Sequence, residues 1–97
     1  MTEHELARFH AMIDGRVQGV GFRYFVQENA SALGIRGWVR NRYDGQVEVI
    51  AEGEKQILEN LIEQLHRGPR GSYVTQVDIN WETASREFNS FEVRRSF

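Results

Sequence analysis

A strand passes into a helix through RFHAMIDGRVQGVGFR, residues 8–23 of the chain. The first part, Arg8–Asp14, alternates apolar and polar side chains, which is typical of a strand with one buried face. Arg16–Phe22 then carries two glycines and is predicted to form an irregular loop. From Phe22 onward apolar residues recur every three or four positions, which predicts an amphipathic helix that stops at Gly34.

The rest of the chain is predicted to add a hairpin, a second amphipathic helix and two further strands. An Asp-Gly pair favours a tight turn over Tyr43–Gln46, because this pair tolerates the positive φ angles of such turns. Gly53 is expected to interrupt the third strand, and Gly68 with Pro69 to stop the second helix. The predicted elements are strands at Ile35–Arg42 and Val47–Ala51, a helix around Ile57–Leu65, a fourth strand through Val77, Ile79 and Trp81, and a short strand at Phe91–Val93.

These elements follow the order strand, helix, strand, strand, helix, strand, which predicts a two-layer α+β sandwich of the ferredoxin-like βαββαβ type. Each helix has one apolar stripe, so the two helices can cover only one face of a small antiparallel sheet. The hairpin and the helical crossover together place the third strand between the first and the second. We expect one domain over residues 1–97, with a flexible charged tail at residues 1–7.

The composition argues against several classes of protein. The chain has no Cys, which excludes disulfide scaffolds, thiolate zinc sites and cysteine nucleophiles. His4, His10 and His66 are not spaced as metal ligands, so we expect no metal or cofactor and interpret them as structural or solvated side chains. A net charge of −2 argues against nucleic-acid binding. Four acidic residues are expected to face water around the second helix: Glu52, Glu54, Glu59 and Glu63.

Neither a signal peptide nor a membrane span is predicted. The start, MTEHELAR, lacks an apolar core, and no apolar run approaches the roughly 18–20 residues that a membrane helix needs. We therefore expect a cytoplasmic monomer without a membrane partner.

The loop between the first strand and the first helix is one candidate site. Consecutive backbone N–H groups in a glycine-containing turn can point inward and surround an anion, and the first helical turn adds free N–H groups. Arg23 lies in that helical turn, and its guanidinium can hold two phosphate oxygens. Known nucleotide motifs do not fit, because no lysine lies near and Tyr24 stands where the dinucleotide fingerprint needs glycine. A plain turn with tight geometry is the alternative interpretation.

Asn41, late in the second predicted strand, is the other candidate. Amide side chains are depleted in strands, and an amide can donate to one partner and accept from another. A group that positions a water molecule must do both. From the residues alone, a role in starting the hairpin turn is the simpler interpretation.

The segments around both candidates resemble the acylphosphatase family. The family pattern Gly-Arg-Val-Gln-Gly-Val-x-Phe-Arg is filled at Gly15–Arg23, Gly-x-Val-x-Asn at Gly37–Asn41, and Asp-Gly-x-Val-Glu at Asp44–Glu48. The resemblance covers nearly the whole chain, Arg8–Phe97. Because the first motif fills nine consecutive positions with a single free slot, the resemblance outweighs the simpler interpretations of both candidate residues.

This resemblance implies hydrolysis of the carboxyl–phosphate bond of acyl phosphates, without metal or cofactor. It implies that Arg23 binds the phosphate, that Asn41 orients the attacking water, and that inorganic phosphate is both product and competitive inhibitor. The free slot is filled by Gly21, which is expected to loosen the loop. The implied phosphate cradle is the backbone of Gln18, Gly19, Val20, Gly21 and Phe22.

Two other functions compete with this hypothesis. Ferredoxin-like sheets also recognise RNA by stacking bases on aromatic side chains, and Arg36–Val39 faintly matches the start of an RNA-binding signature. The rest of that signature is missing, and the net charge of −2 argues against RNA binding. Acylphosphatase-like domains also begin carbamoyl-transferring hydrogenase-maturation proteins, which continue into cysteine-rich zinc modules. Because this chain has no Cys, a free-standing enzyme is expected. The sequence favours no particular acyl group among acetyl, carbamoyl and glyceroyl.

Overall fold

The computed structural model describes residues 5–97. Its elements are β1 (Leu6–Arg16), α1 (Phe22–Ala32), β2 (Arg36–Asn41), β3 (Val47–Glu54), α2 (Lys55–Arg67), β4 (Tyr73–Glu82) and β5 (Phe91–Val93). The predicted flexible tail lies partly outside the described residues. Its last two members, Leu6 and Ala7, belong to β1, which therefore begins earlier than predicted. Within residues 5–97 no helix is both long and apolar enough to cross a bilayer.

The sheet has five strands in the order β4-β1-β3-β2-β5, so the third strand lies between the first and the second as predicted. Pairing is antiparallel except between β2 and β5 at one edge. Val49 of β3 is opposite Ala11 of β1 and Val39 of β2, which fixes the register of the three central strands. The predicted α+β fold, with two helices on an open sheet, is confirmed.

The core lies between the sheet and the two helices. Residues of β1 at alternate positions are fully buried beneath the helices, as the period of two predicts. Helix α1 packs on β2 and β5, whereas α2 packs on β1, β3 and β4. Each buried large side chain stabilises the fold by about 1.5–3 kcal/mol. The fully buried residues include Phe9, Ala11 and Ile13 of β1, Phe22, Val26 and Ala30 of α1, and Leu58, Leu61 and Leu65 of α2.

The third strand is longer than predicted, because Gly53 does not interrupt it. The earlier start of β1 provides a partner, and Gly53 pairs with Ala7 in the antiparallel ladder. A side chain at Gly53 would make only ordinary contacts, the nearest at 3.6 Å from Ile35 Cγ1, so this glycine marks no close approach. Helix α2 then begins directly at Lys55.

Glu52 was expected to face water, and that expectation is wrong. Glu52 lies on the helix-free face of β3 and is 7% exposed. Its carboxylate accepts hydrogen bonds from the Ser85 and Arg86 backbone N–H groups, at 2.6 and 2.9 Å, and from Arg8 Nη1 at 3.3 Å. Burial raises the pKa of Glu52, but these hydrogen bonds outweigh burial and hold that pKa below its ordinary value. Of the other three acids, Glu54 is half-buried at the end of β3, whereas Glu59 and Glu63 on α2 are exposed as expected.

Candidate active site

The candidate site lies at the end of the sheet where β1 and β2 finish and β3 begins. β1 does not stop at Gly15 as predicted but continues to Arg16, with a bulge between Asp14 and Gly15 that shifts its register with β4. Gly15 has a φ of 123°, and a Cβ there would collide with the carbonyl oxygen of Tyr73. Only glycine therefore fits this position, which brings the loop close against β4.

Two further glycines shape the loop itself. Gly19 and Gly21 have φ angles of 75° and 78°, in the left-handed region that other residues rarely adopt. Neither has a heavy atom within 4 Å of an added Cβ, so the backbone conformation favours glycine at these positions and the available space does not restrict them. Left-handed residues in such a turn direct successive N–H groups inward, which is the geometry of an anion cradle.

The loop passes into α1 at Gly21, the N-cap residue. The Gly21 carbonyl accepts the Phe25 N–H at 3.0 Å, and no side chain caps the helix, so the other N–H groups of the first turn are available to a ligand. The first turn contains no acidic residue. The positive end of the helix dipole therefore faces the loop without compensation from an acid.

Arg23 is half-buried in this first turn. Its guanidinium makes no hydrogen bond or ion pair with any side chain or backbone group of residues 5–97. Several arginines beside the sheet, in contrast, are paired with acids, as Arg8 is with three carboxylates. Arg23 is thus a cation at a helix N-terminus whose hydrogen-bond donors are not used by residues 5–97.

Asn41 is the last residue of β2 and pairs with Val47 of β3. Because Val39 is buried in the core, strand alternation places Asn41 on the same helix-covered face of the sheet. Asn41 Oδ1 is buried and has no hydrogen-bond partner among the described residues. A buried acceptor without a partner is rare in proteins, and this oxygen is free to accept a hydrogen bond from a small molecule.

The simpler interpretation of Asn41, that it starts the hairpin turn, is wrong for its side chain. The turn is closed by backbone hydrogen bonds from the Arg42 N–H to Gln46 O and from the Gly45 N–H to Arg42 O. The side-chain contribution comes from Asp44, whose Oδ1 accepts the Gln46 N–H at 3.0 Å.

Gln18 connects the loop to the strand end that carries Asn41. Its Nε2 donates to Arg42 O at 2.6 Å and to Gln46 O at 2.8 Å, so one side chain binds both sides of the β2–β3 hairpin. The two candidate sites of the sequence are therefore parts of one assembly. Sequence reasoning assigned Gln18 only a backbone role, and nothing in the sequence indicates which carbonyls its side chain would reach.

Behind Asn41, on the helix-free face, Glu48 organises a cluster of cations. It accepts hydrogen bonds from Arg40 Nε at 2.8 Å and Arg42 Nη1 at 3.2 Å, and its Oε2 lies 2.7 Å from His10 Nε2. Burial raises the pKa of Glu48, but the bonds from His10 and the two arginines outweigh burial and lower it. His10 is thus a hydrogen-bonding partner of Glu48. No group of metal-ligating side chains occurs in residues 5–97.

A groove also lies away from the candidate site. It has a volume of about 440 Å³ and is found at the opposite end of the sheet, between Leu33, Ile57 and Phe88. None of the candidate residues lines it. A small anion is recognised by converging N–H groups, so the volume of a groove does not locate this kind of site.

A family model described as Acylphosphatase matches residues 9–93. The acylphosphatase of Salinibacter ruber is 51% identical over 88 residues, which cover 91% of this chain and 93% of that protein. The acylphosphatase of Pyrobaculum arsenaticum is 44% identical over 94 residues, covering 96% and 99%.

Solved structures are also similar to this chain. The crystal structure of acylphosphatase from Bacillus subtilis superimposes with a TM-score of 0.88 at 39% identity, over 91% of this chain and 98% of that one. Full-length HypF, in a phosphate- and nucleotide-bound form, matches with a TM-score of 0.86 at 25% identity, but the match covers only 12% of its chain. The family model and the near-complete overlap with the curated relatives show that this chain belongs to the acylphosphatase family, enzymes that hydrolyse acyl phosphates to a carboxylate and inorganic phosphate.

Proposed function

We propose that the loop backbone over Gln18–Phe22 and the Arg23 guanidinium bind the phosphoryl group, and that Asn41 holds the water molecule that attacks it. One observation supports this division of roles above all others. The Arg23 guanidinium and the buried Asn41 Oδ1 have no protein partner within residues 5–97. The segments that carry them are joined by the hydrogen bonds of the Gln18 side chain.

Phosphate binding follows from the charges of the site. The phosphoryl group of an acyl phosphate carries three oxygens, and a loose transition state spreads negative charge over all of them. Donors fixed in place before the reaction stabilise that charge without reorganising. The cradle, the uncompensated helix N-terminus and Arg23 can supply such donors.

The leaving group explains why this site needs no general acid. A carboxylic acid has a pKa of about 4, so the departing carboxylate leaves without being protonated. The oxygen of water forms a bond to phosphorus while the bond between phosphorus and the acyl oxygen breaks. One water proton stays on the new P–O bond and the other passes to a phosphate oxygen of the substrate itself.

Asn41 is suited to placing the water but not to deprotonating it. An amide has no proton affinity near neutral pH, whereas its Oδ1 can accept a hydrogen bond from water. Correct placement of a reactant is worth several kcal/mol at the transition state. A pH–rate profile with a steep limb assignable to an enzyme side chain would contradict this role.

The test is hydrolysis of an aryl acyl phosphate in excess chelator, with inorganic phosphate as competitor. We expect full activity with the chelator and competitive inhibition by phosphate, because the product occupies the same cradle. Loss of activity on chelation, or non-competitive inhibition, would refute the metal-free phosphate site. We further propose that the enzyme acts as a cytoplasmic monomer, which sedimentation and fractionation would check.

RNA recognition on the sheet has little support. The alternative needs Trp38 free to stack on a base, but Trp38 is 9% exposed. The guanidinium carbons of Arg40 and Arg94 lie 4.6 and 5.3 Å from the centre of its ring system and cover it.

A further inference from the structure

The backbone of Phe97 clamps the end of β2 from the side opposite β3. The Phe97 N–H donates to Asn41 O at 2.9 Å, and Phe97 O accepts the Tyr43 N–H at 3.0 Å. This segment continues along β2 beyond β5, since the Arg94 N–H also donates to Val39 O at 2.8 Å. Asn41 is therefore held between Val47 of β3 and Phe97, although no motif connects position 97 with the site.

The ring of Phe97 is anchored as well, although it is 61% exposed. The guanidinium carbons of Arg40 and Arg42, the two neighbours of Asn41 in the chain, lie 4.3 and 5.7 Å from its centre. Both arginines donate to the same oxygen of Glu48, which is buried on the helix-free face. Contacts between a cation and a ring contribute about 0.5–1 kcal/mol at exposed sites, so the ring strengthens a clamp that the backbone bonds create.

We propose that Phe97 is a positioning residue for Asn41, an inference that rests on the role proposed for Asn41 above. The Asn41 side-chain oxygen has no protein partner among the described residues, so hydrogen bonds to that oxygen do not aim it. Its direction is set by the backbone of the last residue of β2. That backbone would be open to fraying on one side without Phe97, because β5 ends at Val93 and the turn begins at Arg42.

Small displacements are costly in such a site. A misplacement of about 1 Å, caused by a change away from the chemistry, can reduce turnover by about a hundredfold. Phosphate binding, in contrast, depends on the cradle and Arg23, which lie on another segment of the chain. Loss of the clamp should therefore lower kcat and leave the inhibition constant for phosphate unchanged.

Three variants separate the parts of the clamp. Phe97→Pro removes the N–H that donates to Asn41, Phe97→Ala removes the ring, and Phe97→Tyr retains both. We expect kcat to fall about ten- to a hundredfold in Phe97→Pro, by less in Phe97→Ala, and to stay near the wild-type value in Phe97→Tyr. Trp81→Ala is the matched control: Trp81 is another exposed aromatic residue, 5.1 Å from Lys55 Nζ, and its loss should leave kcat unchanged.

Repeating Phe97→Pro in an Asn41→Ala background tests whether Phe97 acts on kcat through Asn41. A residue that acts through Asn41 has no further effect on kcat there, whereas general destabilisation lowers kcat by the same factor in both backgrounds and would overturn the inference. The side-chain amide resonance of Asn41 in NMR gives a readout besides activity. Wild-type kcat in Asn41→Ala would refute the role proposed for Asn41, whereas wild-type kcat and an unmoved amide resonance in Phe97→Pro would refute the clamp alone.

Discussion

Replacing Arg23 by Ala should remove most of the catalytic power of the site. The guanidinium can donate two charge-assisted hydrogen bonds to a phosphoryl group, each worth about 1.5–3 kcal/mol. Since no group of residues 5–97 shares those donors, the full amount, about 3–6 kcal/mol, is available to the substrate. At about 1.36 kcal/mol per factor of ten, we expect kcat/KM to fall by about 10²–10⁴.

The assay compares kcat/KM and the inhibition constant for phosphate across matched variants. Arg23→Lys keeps the charge but not the planar fork, so its loss should be intermediate, about 10–100-fold. Arg36→Ala, an exposed arginine at the other end of β2, alters net charge identically and should change neither quantity. Parallel measurement of Tm separates loss of the site from loss of the fold.

Two results would contradict different parts of this reasoning. If Arg23→Ala retains kcat/KM within about threefold of Arg36→Ala while phosphate still competes, the phosphate is held elsewhere. If phosphate affinity is unchanged but kcat collapses, Arg23 acts only in the transition state, and its contribution to ground-state binding is wrong.

Further changes test the rest of the site and the fold. Asn41→Ala should lower kcat while the inhibition constant for phosphate stays within about twofold; a collapse of phosphate affinity would make Asn41 a binding or structural residue. Gln18→Met keeps the side-chain length but loses both N–H donors, and should lower the unfolding free energy by about 1–3 kcal/mol and reduce kcat. Unchanged denaturation and turnover would show that the two hydrogen bonds of Gln18 contribute to neither stability nor activity. Gly15→Ala should destabilise the fold by about 1–3 kcal/mol or more in denaturant titration, because the left-handed φ and the Tyr73 carbonyl both oppose a side chain; equal stability would contradict that geometry. The lowered pKa of Glu52 stabilises the fold above the unfolded value of about 4.3, and this contribution is lost as the pH falls through the folded value. Between pH 7 and 3 the free energy of unfolding should therefore fall more for the wild type than for Glu52→Gln. Parallel curves of unfolding free energy against pH would contradict this role of Glu52.

The order of elements could be predicted because both helices and the first, third and fourth strands show an apolar period, and glycines mark the breaks between elements. The loop glycines were also informative, since positive φ angles at Gly19 and Gly21 agree with a turn that breaks regular structure. Asn41 and Arg23 could be named through the family pattern, whose positions the fold brings to one end of the sheet.

What could not be predicted depends on contacts between distant parts of the chain. In the sequence Glu52 stands between the predicted third strand and the predicted second helix, and this pattern does not reveal that the segment around Ser85 folds back to donate to it. Gln18 reaches carbonyls whose positions depend on the hairpin register. Phe97 reaches Asn41 only because β5 pairs with β2 in parallel, which no local period indicates.

The central position of β3 has a consequence for how the enzyme acquires activity. The two proposed site residues lie on either side of this strand: Arg23 at the start of α1, which follows β1, and Asn41 at the end of β2. β1 and β2 each pair with β3 and not with each other, so β3, together with the Gln18 side chain, sets the spacing between the proposed phosphate and water positions. During refolding, turnover should accordingly return in one step, when β1 and β2 have both paired with β3, and no earlier. Recovery of catalytic activity therefore reports when these three strands have paired.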